Sequence, residues 1–457
     1  MVMDWAKLLS SKRLGRSDLP AQTAGRSEFQ RDFDRIVFSS AFRRLQDKTQ
    51  VVPLAKSDYV RTRLTHSLEA SCVGRSLGTM VGTFLHDKNL LPRDVIPADV
   101  GNIVASACLA HDIGNPPFGH SGESAIRQWF AEQGKASIKK LQGAYKLDFE
   151  NFEGNAQGFR ILTQLQNPQR PGLQLTCATL AAFAKYPWAS LLPNRIKASL
   201  NSTGKKHGYF QSEKDRFEEV AQEVGLIRQG KNAPCWCRHP LAFLVEAADD
   251  ICYLIVDFED GFRMGSVEFQ KFQELIEPIL AREINEVRTE LAKIAKKEDQ
   301  AAYLRAKTIN ALIKEVVGSF IKNHDLILRG SFRENLIKTI NAWKHLSAIK
   351  DFSLREVYSA RGVLEVEVPE FNVLGGLLHS FVAAVDDVAK NGLKGASSKN
   401  ATIFKLIPSQ FLGTGSLPSK DMYERVLHVT DFVSGMTDSY AVGLYKQITG
   451  ISLPSRY

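Results

Sequence analysis

Apolar residues recur three and four apart through most of this 457-residue chain, whereas two-residue alternation is scarce, and that balance confines the fold to helices. Residues 67–85 read as one amphipathic helix. Residues 99–112 read as a second, stopped by Ile113-Gly-Asn-Pro-Pro117. Residues 240–259 predict a third, and 267–322 predict long charged helices. Only Val363-Leu-Glu-Val-Glu-Val-Pro369 alternates strictly, over 364–368, and is expected to be a strand or edge hairpin. Residues 393–398 and 413–419 read as loops, and no internal repeat is present.

The expected fold is therefore mainly α, with a core over about 29–261 and a helical C-terminal region packed on it. Composition agrees: 44% hydrophobic and 24% charged residues exclude a disordered or collagenous chain. The length allows roughly two or three domains' worth of core. Fifty-nine Lys and Arg against 50 Asp and Glu leave a charge of +9, which favours anionic substrates or partners without announcing a nucleic-acid binder. Six scattered cysteines do not make a disulfide framework. Four of them (Cys72, Cys108, Cys177, Cys252) lie in apolar stretches and read as buried. Cys235 and Cys237 lack a second pair at zinc-ribbon spacing. The N-terminus does not read as a secretory signal, and no window approaches the roughly 20 apolar residues of a membrane span. A reduced, cytoplasmic protein is expected.

Chemistry concentrates in the histidines. His86, His324, His345, His379 and His428 have no clustered acidic or His partners and read as packing residues. Residues 108–123 differ, because an apolar helix delivers His111 and Asp112 to its end just before a Gly/Pro turn. Neighbours on a helix point about 100° apart, yet both can reach an ion seated at the helix end. A lone His-Asp doublet is weak. It gains from His66, preceded by Arg63, and from Asp249 and Asp250 within an apolar helix, where a carboxylate is costly unless paired or metal-bound. Two nitrogens and two oxygens suit a hard-to-borderline divalent ion with open positions for water and substrate.

The order His66, His111-Asp112, Asp249 resembles the HD-domain metal-dependent phosphohydrolases, and the flanking residues resemble their deoxyguanosine triphosphate triphosphohydrolase (dGTPase) branch. The motifs are Arg31-Asp-Phe-Asp-Arg-Ile36, Phe42-Arg-Arg-Leu-Gln-Asp-Lys-Thr-Gln-Val51, Arg61-Thr-Arg-Leu-Thr-His-Ser67, His111-Asp-Ile-Gly-Asn-Pro-Pro-Phe-Gly-His120, Asn151-Phe-Glu-Gly-Asn-Ala-Gln157, Glu246-Ala-Ala-Asp-Asp-Ile251 and Gly435-Met-Thr-Asp438. The likeness is dense over about 28–261 and thin beyond. It implies an N-terminal extension over 1–27, an HD-domain catalytic core over 28–261 and a helical region over 262–457 packed on the core.

The resemblance implies hydrolysis of dGTP, or of a wider set of deoxynucleoside triphosphates, by water attack on the α-phosphorus, releasing deoxynucleoside and intact triphosphate. It makes His66, His111, Asp112 and Asp249 the ligands of a divalent ion, Mn²⁺ or Mg²⁺. Asp249 is preferred to Asp250 because only Asp249 has Tyr253 four and Asp257 eight residues on, the pattern in which Tyr and Asp contact the sugar. Those three positions share one helix face, and a ring under C2′ would crowd out a ribo hydroxyl. His120 falls at the α-phosphate with Glu123 as its orienter, and whether His120 protonates the 5′-oxygen or acts otherwise stays open. Arg63 would neutralise developing phosphate charge. Gln46 is a candidate reader of base edge or sugar hydroxyl. Lys206 and Tyr209, from the basic segment 205–212, are candidates for the triphosphate. Glu153, Asn155 and Gln157 read as pocket-wall residues. Ser439 stands where many relatives carry a basic residue.

Relatives commonly form hexamers or tetramers and respond to single-stranded DNA or nucleotide effectors, and no membrane partner is implied. The rival readings are another HD nucleotide phosphohydrolase, such as a 5′-nucleotidase or phosphodiesterase, and a nucleic-acid-binding regulatory HD protein.

Overall fold

A computed structural model describes residues 2–16, 25–50, 61–167, 172–199, 206–230, 234–357, 361–413 and 415–451. The helices that build the site and its frame are α1 (Glu28–Val37), α2 (Arg63–Asp87), α3 (Pro97–Ala110), α4 (Gly119–Ala131), α5 (Gly154–Arg160), α6 (Cys177–Phe183), α7 (Ala242–Arg263), α8 (Lys297–Leu328), α9 (Trp343–Glu356), α10 (Arg361–Gly395), α11 (Met422–Ser434) and α12 (Asp438–Thr449). Among the described residues there is no β-strand, only isolated bridges such as Ala189 with Tyr209.

The pair α2–α3 is the spine. Pro97 opens α3 with φ preset for a helix, and the Asp99 carboxylate accepts the Ile96 N–H at 3.2 Å. The two helices approach closely because α2 carries glycine every fourth residue. A Cβ on Gly78 would lie 2.8 Å from the Val100 carbonyl and one on Gly82 would lie 2.6 Å from that of Pro97. Larger residues there would force α3, and the His-Asp pair at its end, away from α2.

The hydrophobic interior divides into two clusters. The first joins α1, α2, α3, α6, α7 and α8 and also takes in Trp5, Leu8 and Leu14 from the N-terminal segment and Leu346 and Val357 near α9. The second joins α4, α10, α11 and α12 with Phe149, Phe152 and Phe210. The cores thus cut across the expected boundaries: residues 3–14 and 267–357 share the first, and residues 373–444 share the second with α4. Arg160 at the end of α5 ties the two halves. Its guanidinium donates to Asp431 of α11 at 2.8 Å and to Glu213 at 2.6 Å, all three being buried.

Three sequence expectations need correction. The segment expected to be a strand or edge hairpin lies inside α10, which passes through Pro369 and breaks its helical geometry only at Gly392. An alternation of five residues without a partner strand leaves backbone groups unpaired, whereas a helix pairs them internally. Secondly, Val368–Gly395 is long and apolar enough by composition to cross a membrane, and 56% of its apolar window is buried. Leu374, Leu377, Leu378 and Phe381 account for that apolarity as residues of the second core. Finally, Cys72 is exposed, not buried.

Candidate active site

Two threonines start α2: the Thr62 N–H donates to Thr65 Oγ1 at 3.1 Å. That start places Arg63 and His66 three residues apart on one face, both buried. At the far end of α3 the His111 Nδ1–H donates to the Cys108 carbonyl at 2.6 Å, which fixes the tautomer and leaves Nε2 its lone pair. Asp112 accepts from Arg63 Nη1 at 2.7 Å on one oxygen and from Asn115 Nδ2 at 2.6 Å on the other. From the middle of α7, Asp249 Oδ1 reaches to 3.1 Å from His66 Nε2 and 3.4 Å from His111 Nε2.

These donors fit a metal. One ligand atom from each of His66, His111 and Asp112 lies within 4.8 Å of the others, and His111 Nε2 stands 3.5 Å from Asp112 Oδ1. With metal–ligand bonds of about 2.1 Å, adjacent donors in one coordination shell are separated by roughly 3 to 3.5 Å, the spacing of the His66–Asp249, His111–Asp249 and His111–Asp112 pairs. Electrostatics point the same way. Burial alone would lower the His111 pKa, but the Asp112 and Asp249 carboxylates raise it to about 9. Burial would raise the Asp112 carboxyl, but the Arg63 guanidinium and His111 hold it at about 2. Asp249 is likewise held well below the usual carboxylate range by His111 and His66 against its burial. Without metal the centre therefore draws a proton onto His111; its geometry and charge both call for a cation. Asp250 turns aside, accepting from Asn335 Nδ2 at 2.7 Å.

The centre opens into a cavity of about 480 Å³. Arg63, His120, Tyr253 and Lys206 line it as the sequence predicts. The turn Phe118–Gly119 leading into α4 is left-handed, with φ of 64° and 59°. Gly119 is required there, since a Cβ would overlap Arg63 Nη2. The His120 side chain is 78% exposed, with Nδ1 3.5 Å from Glu123 Oε2. Glu123 is buried and accepts the Gly154 N–H at 2.7 Å. Burial would raise its carboxyl, but the contact with His120, helped by Lys206 and Arg127, holds it at about 2. Lys206 Nζ sits 3.7 Å from Glu153 Oε1 and 5.9 Å over the Tyr186 ring.

Three expected site residues lie elsewhere. Tyr209 is a core residue: its ring stacks on Phe217 at 4.4 Å, and its hydroxyl donates to the Pro234 carbonyl at 2.7 Å. Tyr209 bridges to Ala189 and stays in the core, whereas Lys206 lines the cavity. Lys205 lies outside the described residues. Gln46 is exposed on a 3₁₀ turn, outside the cavity wall, and Gln50 lines the wall instead because the chain turns extended at Lys48. Asp257 is buried two turns along α7 from Asp249 and does not line the cavity. Of the wall residues, Asn155 lines the cavity, while Glu153 and Gln157 are buried behind it, Gln157 donating to Asp431 at 2.9 Å.

Sequence reasoning also passed over Lys185 and Tyr186. Both line the cavity, and Lys185 Nζ lies 3.3 Å from Glu246 Oε1. Burial opposes its charge, but Glu246 and the nearby Asp249 and Asp250 raise its pKa. The signal was a basic-aromatic pair just before Pro187.

Comparison with known proteins agrees with this geometry. The HD domain family matches residues 63–169, the stretch that holds three of the four donors. A deoxyguanosinetriphosphate triphosphohydrolase-like protein of Synechocystis sp. is 47% identical over 99% of this chain and 100% of its own length. One from Pseudomonas aeruginosa is 40% identical over 99% and 100%. The deoxyguanosinetriphosphate triphosphohydrolase of Enterobacter sp. is 31% identical over 93% and 94%. With identities of 31 to 47% running over 93 to 99% of the chain, it belongs to the deoxyguanosinetriphosphate triphosphohydrolase family of HD-domain proteins.

Proposed function

We propose that this protein is a metal-dependent triphosphohydrolase that cleaves dGTP, or a wider set of deoxynucleoside triphosphates, into deoxynucleoside and inorganic triphosphate. The observation that carries the reading is the His66, His111 and Asp112 group, with Asp249 reaching both histidines, beside a cavity that also takes in Lys185, Lys206 and His120, the last backed by buried Glu123. A divalent ion held by His66, His111, Asp112 and Asp249, with Mn²⁺ or Mg²⁺ matching the donors, would supply Lewis acidity toward the α-phosphoryl group.

The chain's own residues do the rest. Arg63, anchored on Asp112, offers its guanidinium to the charge that develops on the α-phosphate. Lys185 and Lys206 neutralise the outer phosphates, which favours a triphosphate over a monophosphate substrate. Glu123 holds His120 through Nδ1, leaving Nε2 to deliver a proton to the departing 5′-oxygen. Tyr253, on the face of α7 that carries Asp249, lies under the deoxyribose and crowds a 2′-hydroxyl. The same proposal includes a cytoplasmic homo-oligomer, hexameric or tetrameric, that responds to single-stranded DNA or nucleotide effectors.

The test is incubation with each of the four deoxynucleoside triphosphates and Mn²⁺ or Mg²⁺ in ¹⁸O-water, separating products by chromatography. Deoxynucleoside and singly labelled triphosphate are expected. Monophosphate with pyrophosphate would refute the deoxynucleoside as leaving group, and label in the nucleoside would refute attack at the α-phosphorus.

A further inference from the structure

The cavity loops belong to distant parts of the chain, and two buried charges hold them to the C-terminal helices. Between α11 and α12 lies the turn Gly435-Met-Thr437. On one side of this turn, Lys48 Nζ donates to the carbonyl of Ser434, the last residue of α11, at 3.1 Å, and to the Asn115 carbonyl at 2.5 Å. On the other, Asp438 begins α12. Its Oδ2 accepts the Thr49 N–H at 2.9 Å and the Thr49 hydroxyl at 2.6 Å, while Oδ1 accepts the Phe118 N–H at 2.9 Å. Lys48 and Asp438 are 3% and 1% exposed. A lysine amino group thus sits at the carbonyl end of α11 and a carboxylate at the N-terminal end of α12.

Each charge leads on to the reacting groups. Asn115, gripped through its carbonyl by Lys48, donates its side-chain amide to Asp112 Oδ1. Phe118, gripped through its N–H by Asp438, has a left-handed backbone that L residues adopt only at a cost, and α4 with His120 and Glu123 starts from it.

We propose that Lys48 and Asp438 are positioning residues: Lys48 sets the metal ligand Asp112 through Asn115, and Asp438 sets His120 and Glu123 through the Phe118–Gly119 turn. The C-terminal region thereby completes the active site without touching substrate. This inference rests on the triphosphohydrolase reading.

The test compares full-length wild type, Lys48→Met and Asp438→Asn by Mn²⁺ titration calorimetry, by amide hydrogen exchange of residues 116–124 and by steady-state kinetics. In Lys48→Met, Mn²⁺ affinity should fall about 10-fold or more, as for other partners of metal ligands. In Asp438→Asn, Mn²⁺ affinity should stay at the wild-type value, exchange at 118–123 should accelerate, and kcat should fall about 10- to 100-fold. Loss of thermal stability in both variants with wild-type Mn²⁺ affinity, exchange and kcat at a permissive temperature would overturn the proposal. Should either variant not fold, Lys48→Arg and Asp438→Glu keep the buried charges and should show the same division at smaller amplitude. A wild type that binds Mn²⁺ but releases no triphosphate would overturn the assigned reaction instead, and the calorimetry and exchange arms would still decide the positioning roles.

Discussion

Replacing Gly119 by alanine separates what this turn contributes to folding from what it contributes to chemistry. Two consequences follow from the coordinates. Alanine at a φ of +59° carries a left-handed cost of about 1 to 2 kcal/mol. Its Cβ would also fall within 3.0 Å of Arg63 Nη2, so restoring an ordinary contact of about 3.5 Å makes the guanidinium withdraw by roughly 1 Å. Arg63 ends a flexible side chain and can give way, so the clash adds little to the folding cost. Its bond to Asp112 at 2.7 Å does not survive the withdrawal unchanged. A displacement of about 1 Å in a group that meets the transition state lowers rate by about 100-fold, equivalent to about 2.7 kcal/mol of barrier. The control is Gly265→Ala. Gly265 has a φ of +78° with nothing within 4 Å of a built Cβ, so it carries the backbone cost alone. Urea unfolding should show similar losses for both variants, whereas kcat/KM for triphosphate release should fall only in Gly119→Ala. Equal kcat/KM in the two variants would refute the placement of Arg63 at the reacting phosphate.

Asp249→Asn should abolish Mn²⁺ binding in a calorimetric titration, while Asp250→Asn should retain it, because Asp250 is committed to Asn335; equal losses would undo the assignment of the fourth ligand. Tyr209→Phe should cost about 1 kcal/mol in urea unfolding through the hydroxyl lost to Pro234, with KM unchanged, and a raised KM would return Tyr209 to the site. Acid should weaken the fold through His239. Its Nδ1 accepts the Leu241 N–H and its Nε2–H donates to the Leu8 carbonyl, so only the neutral ring fits. Burial lowers its pKa from 6.5 to about 4. The unfolded chain then binds the extra proton, so this contribution is complete above pH 6.5 and lost as pH falls toward 4, up to about 3 kcal/mol. Urea midpoints between pH 7 and 4.5 should fall more steeply for wild type than for His239→Gln, and parallel slopes would count against it.

The residues that could hold a cation were legible because the requirement is chemical and local. His111 and Asp112 end an apolar helix at a Gly/Pro stop, and the choice of Asp249 over Asp250 came from the resemblance, in which a Tyr and an Asp stand four and eight residues on. Helix phase placed Tyr253 on the cavity, but it could not tell how far the cavity extends, so Asp257 on the same face falls beyond it. Gln46 and Tyr209 show another limit. Each has a side chain suited to the role expected of it, but the turn at Lys48 brings Gln50 inward in place of Gln46. Tyr209 packs into the core beside Phe217. The alternation at 364–368 failed for a related reason: a strand exists only with a partner, and among the described residues there is no strand to pair with it.

The sequence by itself determined the helical class and brought forward His66, His111, Asp112, Asp249 and the His120–Glu123 pair as candidates, since helix period and ligand chemistry are properties of short stretches. Which lysines meet the cavity, and that Lys48 and Asp438 grip loops separated from one another by 386 and 320 residues, was decided only by the tertiary structure. Buried charges take their partners from whatever the packing of the two cores brings alongside, and no spacing along the chain records that choice.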